Sequence, residues 1–223
     1  VTGNELMAPG SKLDPGQIWE SNSALLRNSL YEAGFKPRFL GIAKDKTEDL
    51  ESRMDKGLNS SDVLIVSGGI SVGDYDLVQK VLEKLEVKKI FWRVAIKPGK
   101  PTYFGKKGEK LVFGLPGNPA SVLVTFLEFV RPTLLKMMGY QDVFLEEKQA
   151  YLEHVVRKKP DRAHFLKGYF QEKNGVTTVR SAGKQNSHIL ESFSRANCLI
   201  LLEKNRTVFE IGEKIKIQLL PWK

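Results

Sequence analysis

Val63-Leu64-Ile65-Val66-Ser67-Gly68-Gly69-Ile70-Ser71-Val72-Gly73-Asp74-Tyr75-Asp76 decides how this chain folds. An apolar run meets a glycine-rich turn, and an amphipathic run from Leu77 to Leu85 follows. That is a buried strand, a tight turn and a helix. Glycines let the backbone approach a ligand closely, and a helix start offers free N–H groups to an anion. The spacing matches neither the dinucleotide fingerprint nor the P-loop. Asp74 and Asp76 beside an anion would repel it unless a divalent cation lay between them. The stretch therefore reads either as a phosphate-and-metal loop or as a plain strand-to-helix connection.

Working outward, the first part of the chain alternates helical and extended patterns. Ile18 to Ala33 reads as a helix capped by Gly34, Phe39 to Ala43 as a strand, and Glu48 to Leu58 as a helix. After the opening stretch come a β-rich run, Lys89 to Ile96, a strand, Leu111 to Phe113, and a long helix from Pro119 to about Met138. Such alternation predicts an α/β fold with a doubly wound, mostly parallel sheet, whose ligands gather at the carboxyl ends of the strands. Beyond Gly139 short extended runs separated by turns predict a small β-barrel or sandwich. The expected division is 1–143 for the α/β domain and 144–223 for the β domain. Val1-Thr2-Gly3-Asn4-Glu5 reads as the end of a strand and its turn, so upstream sequence is expected and the chain reads as a fragment.

Composition narrows the classes. The chain has 223 residues, 41% of them hydrophobic, which is ample for a core. No apolar stretch is long enough to span a bilayer, so no membrane partner is expected. The lone Cys198 sits in the apolar run Asn197 to Leu202, where burial is the expected role; the lack of a cysteine framework fits a reducing cytoplasm. A net charge of +9 favours an anionic partner. Nucleic acid is one candidate, resting on the basic charge alone; Lys and Arg are spread out with no aromatic-basic signature, and a small multivalent anion fits as well, so no nucleic-acid partner is expected. His154, His164 and His188 lie far apart in sequence and read as surface or packing residues.

Three further motifs carry chemistry. Glu5, Asp45 and the Asp74/Asp76 pair each follow a separate predicted strand, so acidic groups can converge at one sheet edge, as a hard divalent cation requires. Against this, each alone reads as a solvated turn carboxylate. Lys97-Pro98-Gly99-Lys100-Pro101 is a stiff loop holding two cations close together, which an anion would relieve. Gly114-Leu115-Pro116-Gly117-Asn118-Pro119-Ala120-Ser121 starts a helix, with Asn118 as N-cap and Pro119 at its first position. The same start aims N–H groups and the Ser121 hydroxyl toward the strand ends.

With these motifs in order, the chain resembles the molybdenum insertase family, MoeA in bacteria and the E domain of gephyrin in animals. Thr2 to Leu6, Ser67 to Asp76, Lys97 to Pro101 and Gly114 to Ser121 resemble family motifs in family order, and the β-rich tail resembles the family's C-terminal barrel. The resemblance implies adenylylated molybdopterin and molybdate as substrates, Mg2+ as the cation, and release of molybdenum cofactor and AMP. It implies Glu5, Asp45 and Asp76 as catalytic acids, and Glu5, Asp74 and Asp76 as metal ligands. Thr2, Gly3, Ser67, Gly68, Gly69, Ser71, Gly73 and Asn118 would hold the pterin and its phosphates. Lys97, Lys100, Ser121, Arg162 and Ser187 would surround molybdate. The family also implies two N-terminal domains absent here, a homodimer in the full-length protein, and a molybdopterin adenylyltransferase as a partner. The alternatives are a molybdopterin adenylyltransferase, separable by incubation with ATP and molybdopterin, and a gephyrin-like scaffold that binds peptides.

Overall fold

The computed structural model describes residues 1–70, 77–183, 185–188 and 191–222. The loop residues Ser71, Gly73, Asp74 and Asp76 lie outside them. The chain opens with β1 (Leu6–Met7) paired in parallel to β2 (Ile18–Trp19). Then follow α1 (Asn22–Glu32), α2 (Thr47–Ser60), β3 (Val63–Ser67), α3 (Leu77–Lys84), β4 (Lys88–Trp92), β5 (Ile96–Lys97), β6 (Tyr103–Lys107) and β7 (Lys110–Leu115). A long helical segment comes next: α4 (Pro119–Thr125), a π turn (Phe126–Val130) and α5 (Arg131–Met137).

Four strands form one sheet in the order β3-β7-β6-β4. β3 and β7 are parallel, from Val63 opposite Leu111 to Ser67 opposite Leu115. β6 is antiparallel to both β7 and β4, so the sheet is mixed where mostly parallel pairing was expected. The physical reason is the two-residue connection Gly108-Glu109 between Lys107 and Lys110. Gly108, at φ +57°, takes the first loop position, where a tight hairpin favours glycine.

Helices cover both faces, as a doubly wound sheet requires. Leu64, Val66 and Val112 face α2 and α3, packing with Leu50, Met54, Val81 and Leu82. Their neighbours Val63, Ile65, Phe113 and Leu115 face α1, α4 and α5, packing with Leu26, Leu30, Val122 and Leu134. This is the period of two along a strand, with both sides buried.

The C-terminal part contains β8 (Glu147–Leu152), β9 (Val156–Arg157), β10 (Ala163–Lys173), β11 (Val176–Ser181), α6 (Glu191–Ser194), β12 (Cys198–Leu202), β13 (Val208–Phe209) and β14 (Lys214–Leu219). β11-β8-β14-β12-β10 close through a β10–β11 pairing into the expected barrel. Ala150, Leu152, Val179, Ile200 and Ile217 fill it, with Cys198 fully buried among them. Leu199 faces outward and joins the core around α4, with Leu145, Phe193 and Leu220. β5 leaves the α/β sheet and adds in parallel to β10, Ile96 opposite Ala163 and Lys97 opposite His164.

Two expected elements differ. The helix expected from Ile18 begins at Asn22, because the Glu20 carboxylate accepts the Ser23 N–H at 2.7 Å and its hydroxyl, capping the first turn there. Phe39 to Ala43 forms no strand among the described residues; Ala43 alone makes a parallel bridge, to Thr2. A strand needs a neighbouring ladder, and among the described residues only Val1 to Gly3 pair with this segment.

Candidate functional site

The carboxyl end of β3 meets the start of α4 in one connected polar cluster. The Thr2 hydroxyl donates to Asp45 Oδ1 at 2.8 Å, and the Asn4 N–H donates to Asp45 Oδ2 at 3.1 Å. Asn4 Oδ1 in turn accepts the Asp45 N–H at 3.0 Å. Both Asp45 oxygens are therefore engaged in shaping the Thr2–Asn4 turn. The Thr2 N–H donates to the Ser67 carbonyl at 2.9 Å, which brings this turn against the glycine loop.

Gly68 makes the close approach possible. Its φ is +91°, and a Cβ there would stand 2.3 Å from the Thr2 carbonyl oxygen. Ser67 is buried; its hydroxyl donates to the Pro116 carbonyl at 3.1 Å and accepts from Asn22 Nδ2 at 3.0 Å. Asn22 also donates to the Gly117 carbonyl at 2.7 Å, and its buried Oδ1 has no partner among the described residues. Asn118 Nδ2 then donates to the Ser187 hydroxyl at 3.1 Å, and the Ala120 N–H donates to the Ser187 carbonyl at 3.0 Å. Thr2, Gly3, Asp45, Ser67, Gly68, Gly69, Asn118 and Ser187, expected from sequence, thus come together. Glu5 is exposed, and its carboxylate folds over Gly3. Ser121 is buried on α4, and its carbonyl accepts the Thr125 hydroxyl at 2.8 Å.

The cations form a second group. The Lys97–Pro98 bond is cis, and the loop packs on α4 through Gly99, where a Cβ would stand 2.6 Å from Thr125 Cγ2. The Lys100 carbonyl accepts the Val94 N–H at 2.9 Å and the Thr102 N–H at 3.0 Å, closing the loop on itself. The β5–β10 pairing places Lys97 beside His164, near Arg162. Arg162 Nε donates to Asp161 Oδ2 at 2.9 Å, which holds that carboxyl below the usual range. His164 is buried; its Nε2 makes no hydrogen bond among the described residues and lies 3.8 Å from Asp161 Oδ1, and burial, then Lys97, Lys158 and Arg162, push its pKa down to about 4 despite Asp161. It is neutral at pH 7, so the group's positive charge is carried by lysine and arginine. One helix, α4, links both groups: its start holds the first and Thr125 seats the second.

Sequence reasoning missed the supports. Asn22 ties Ser67 to Gly117 across 45 and 95 residues of chain, a relation no local pattern encodes. Lys158 Nζ donates to the carbonyls of Arg162 at 3.0 Å and Lys204 at 2.9 Å, fastening the turn that carries Arg162. Lys167 is buried; its ammonium donates to the Asn186 carbonyl at 3.3 Å, and Gln185 pairs with its backbone at 2.9 and 3.0 Å. Together they hold the turn before Ser187. Among the described residues, no three His, Cys, Asp or Glu side chains gather as a metal cage. Asp74 and Asp76, expected as ligands, lie outside those residues.

Comparison with known proteins agrees with this geometry. Residues 1–136 match a family model described as "Probable molybdopterin binding domain", and residues 149–220 match "MoeA C-terminal region (domain IV)". The "Molybdopterin molybdenumtransferase" of Haemophilus influenzae is 35% identical over 97% of this chain and 54% of its own length. That of Nostoc sp. is 33% identical over 99% of this chain and 52% of its own. A "molybdopterin biosynthesis moea protein from Pyrococcus horikosii" superposes with a TM-score of 0.81 at 33% identity, over 98% of this chain and 52% of that one. The chain spans about half the length of the curated relatives it matches. No helix among the described residues is long and apolar enough to cross a membrane. A molybdopterin-binding α/β layer joined to a closed five-stranded barrel of the domain IV type is the MoeA arrangement, and this chain belongs to the MoeA family.

Proposed function

We propose that this chain is the pterin- and molybdate-holding part of a molybdopterin molybdotransferase, acting in molybdenum cofactor biosynthesis. Its substrates would be adenylylated molybdopterin and molybdate. Molybdenum enters the dithiolene, the pyrophosphate link is hydrolysed, and molybdenum cofactor and AMP leave. The single observation that carries this reading is the polar cluster from Asp45 through Thr2 and Ser67 to Asn118 and Ser187, with the Lys97–Lys100 loop seated on the same α4 helix.

In this reading Thr2, Gly3 and Ser67 to Gly69, continued by Ser71 and Gly73, form the edge that faces the phosphates. Asp45 holds the Thr2–Asn4 turn in place. Lys97, Lys100, Ser121 and Arg162 face molybdate, a compact dianion whose hydration shell ammonium, guanidinium and hydroxyl donors replace. Mg2+ is the expected cation: one or two carboxylates plus substrate phosphates suffice for it, and Glu5 makes no side-chain hydrogen bond among the described residues. When bound, it would stabilise charge building on the phosphate oxygens. Glu5, Asp74 and Asp76 are its proposed ligands, and Asp76, Asp45 and Glu5 the proposed catalytic acids. The division at 143/144, a cytoplasmic setting, a homodimer of the longer protein and an adenylyltransferase supplying the substrate belong to the same proposal.

The test uses the full-length protein with adenylylated molybdopterin and a molybdate titration, reading AMP release. Lys100→Ala should move the molybdate dependence at least tenfold higher with pterin binding retained. Asp76→Asn should slow single-turnover hydrolysis more than it weakens binding. Unaltered titration and turnover would overturn the assignment, and adenylylated pterin formed from ATP and molybdopterin would favour the adenylyltransferase instead.

A further inference from the structure

The turn before β10 sets one acidic side chain among cations. Arg157, Lys158, Lys159 and Arg162 flank Asp161 in sequence. Lys204 joins them in space, because the Lys158 ammonium donates to the Lys159, Arg162 and Lys204 carbonyls at 3.2, 3.0 and 2.9 Å. The β5–β10 pairing adds Lys97 opposite His164, on the same face of the ladder. Among the described residues Asp161 is the one carboxylate that faces His164, against Lys97, Lys158 and Arg162. Lys97 enters no ion pair among those residues.

Asp161 bridges two members of this group. Its Oδ2 meets both Arg162 Nε and Arg162 Nη2 at 2.9 Å, and its Oδ1 stands 3.8 Å from His164 Nε2. His164 is 6% exposed, and its Nε2 makes no hydrogen bond among the described residues, so a buried polar atom beside Asp161 is left unmet. Arg162 does not need the carboxylate to stay in place, since Lys158 already fastens its carbonyl. Asp161 itself is exposed, and an exposed ion pair is weak enough to be displaced. The group thus already holds an oxyanion, one supplied by its own chain.

We propose that Asp161 is an internal competitor for Arg162, which a dianion displaces and a monoanion does not, so that this residue sets the selectivity of the anion group. The identity of the dianion, molybdate, rests on the proposed function. A carboxylate one residue from its guanidinium competes at high effective concentration. A free monoanion brings the same single charge without that linkage, and so fails against it. A tetrahedral dianion brings twice the charge and more acceptor oxygens, and it answers Arg162 and Lys97 together. The imidazole, neutral at pH 7, adds a donor in the tautomer that carries its proton at Nε2. Asp161 then determines specificity without being a ligand.

The test is equilibrium binding of molybdate to the full-length protein, wild type against Asp161→Asn, whose amide keeps the shape and loses the charge. Binding should tighten about two- to fivefold, the range an exposed charge pair allows. In an Arg162→Ala background the same substitution should bring no gain. Replacing a bulky sulfonate by chloride at constant ionic strength should weaken molybdate binding in Asp161→Asn and leave the wild type unchanged. Weaker binding in Asp161→Asn would overturn the proposal by making Asp161 a support for Arg162. Chloride acting equally on both proteins would overturn the selection of dianions. Sulfate that binds and tightens in the variant, where molybdate does not bind, would uphold the competitor and remove the molybdate assignment. Molybdate that binds equally to both proteins would keep that assignment and remove the competitor. Binding of neither anion to either protein would overturn both.

Discussion

At the residue scale, half-buried Glu128 and buried His164 act in opposite directions. Glu128, in the π turn, is pushed up to about 7 by burial, against a lowering hydrogen bond from Gln218. Its folded form holds a proton that the unfolded chain releases, so its contribution to stability is present below pH 4.5 and lost as pH rises through about 7. His164, pushed down to about 4, contributes stability above its ordinary 6.5 that is lost as pH falls through about 4. Each effect is at most about 3 kcal/mol. The two slopes therefore offset one another between roughly pH 4.5 and 6.5. Urea unfolding across that window should show stability rising with pH in Glu128→Gln and falling with pH in His164→Gln. Parallel profiles in both variants would contradict this. Neither effect was legible in sequence. His164 read as a packing residue, and it is one, yet its burial and the approach of Lys97 through the β5–β10 pairing are set by the tertiary fold.

At the element scale, Gly68 shows how much a motif can say. Its place after a buried strand marked a tight turn, and the structure adds the Thr2 carbonyl that forbids any Cβ there. Gly68→Ala should cost about 2 kcal/mol or more, lowering the melting temperature by roughly 4–8 °C in a thermal scan. Gly69→Ala would meet Val78 Cγ2 at 2.6 Å and Thr2 Cγ2 at 2.9 Å, movable side chains, and should cost less. Equal losses would remove the backbone contact as the cause. The helix from Pro119 was also legible in its start and its end at Met137, because proline, capping and apolar periodicity are local signals. Its π turn was not. That turn lies in the core shared with the barrel, and non-local packing selects it. The hairpin at Gly108 carried a local signal that an alternating α/β reading passed over.

At the scale of the whole molecule, one apolar cluster joins α1, α4 and α5 to Leu199 and Leu220 of the barrel side. Calorimetry should therefore show a single cooperative transition, and an early separate melt of residues 144–223 would contradict it. The same continuity explains why the two cationic and polar groups share one helix. By itself the sequence determined the α/β-then-barrel order, the burial of Cys198, and the motifs that gather at the strand ends, since hydrophobic periodicity, glycine turns and helix caps act over a few residues. Only the tertiary structure decided the antiparallel half of the sheet, the docking of β5 on β10 beside His164, and the Asn22 tie beneath Ser67. Those depend on which distant segments meet, and the free energy that selects them comes from burial and backbone pairing across the whole fold.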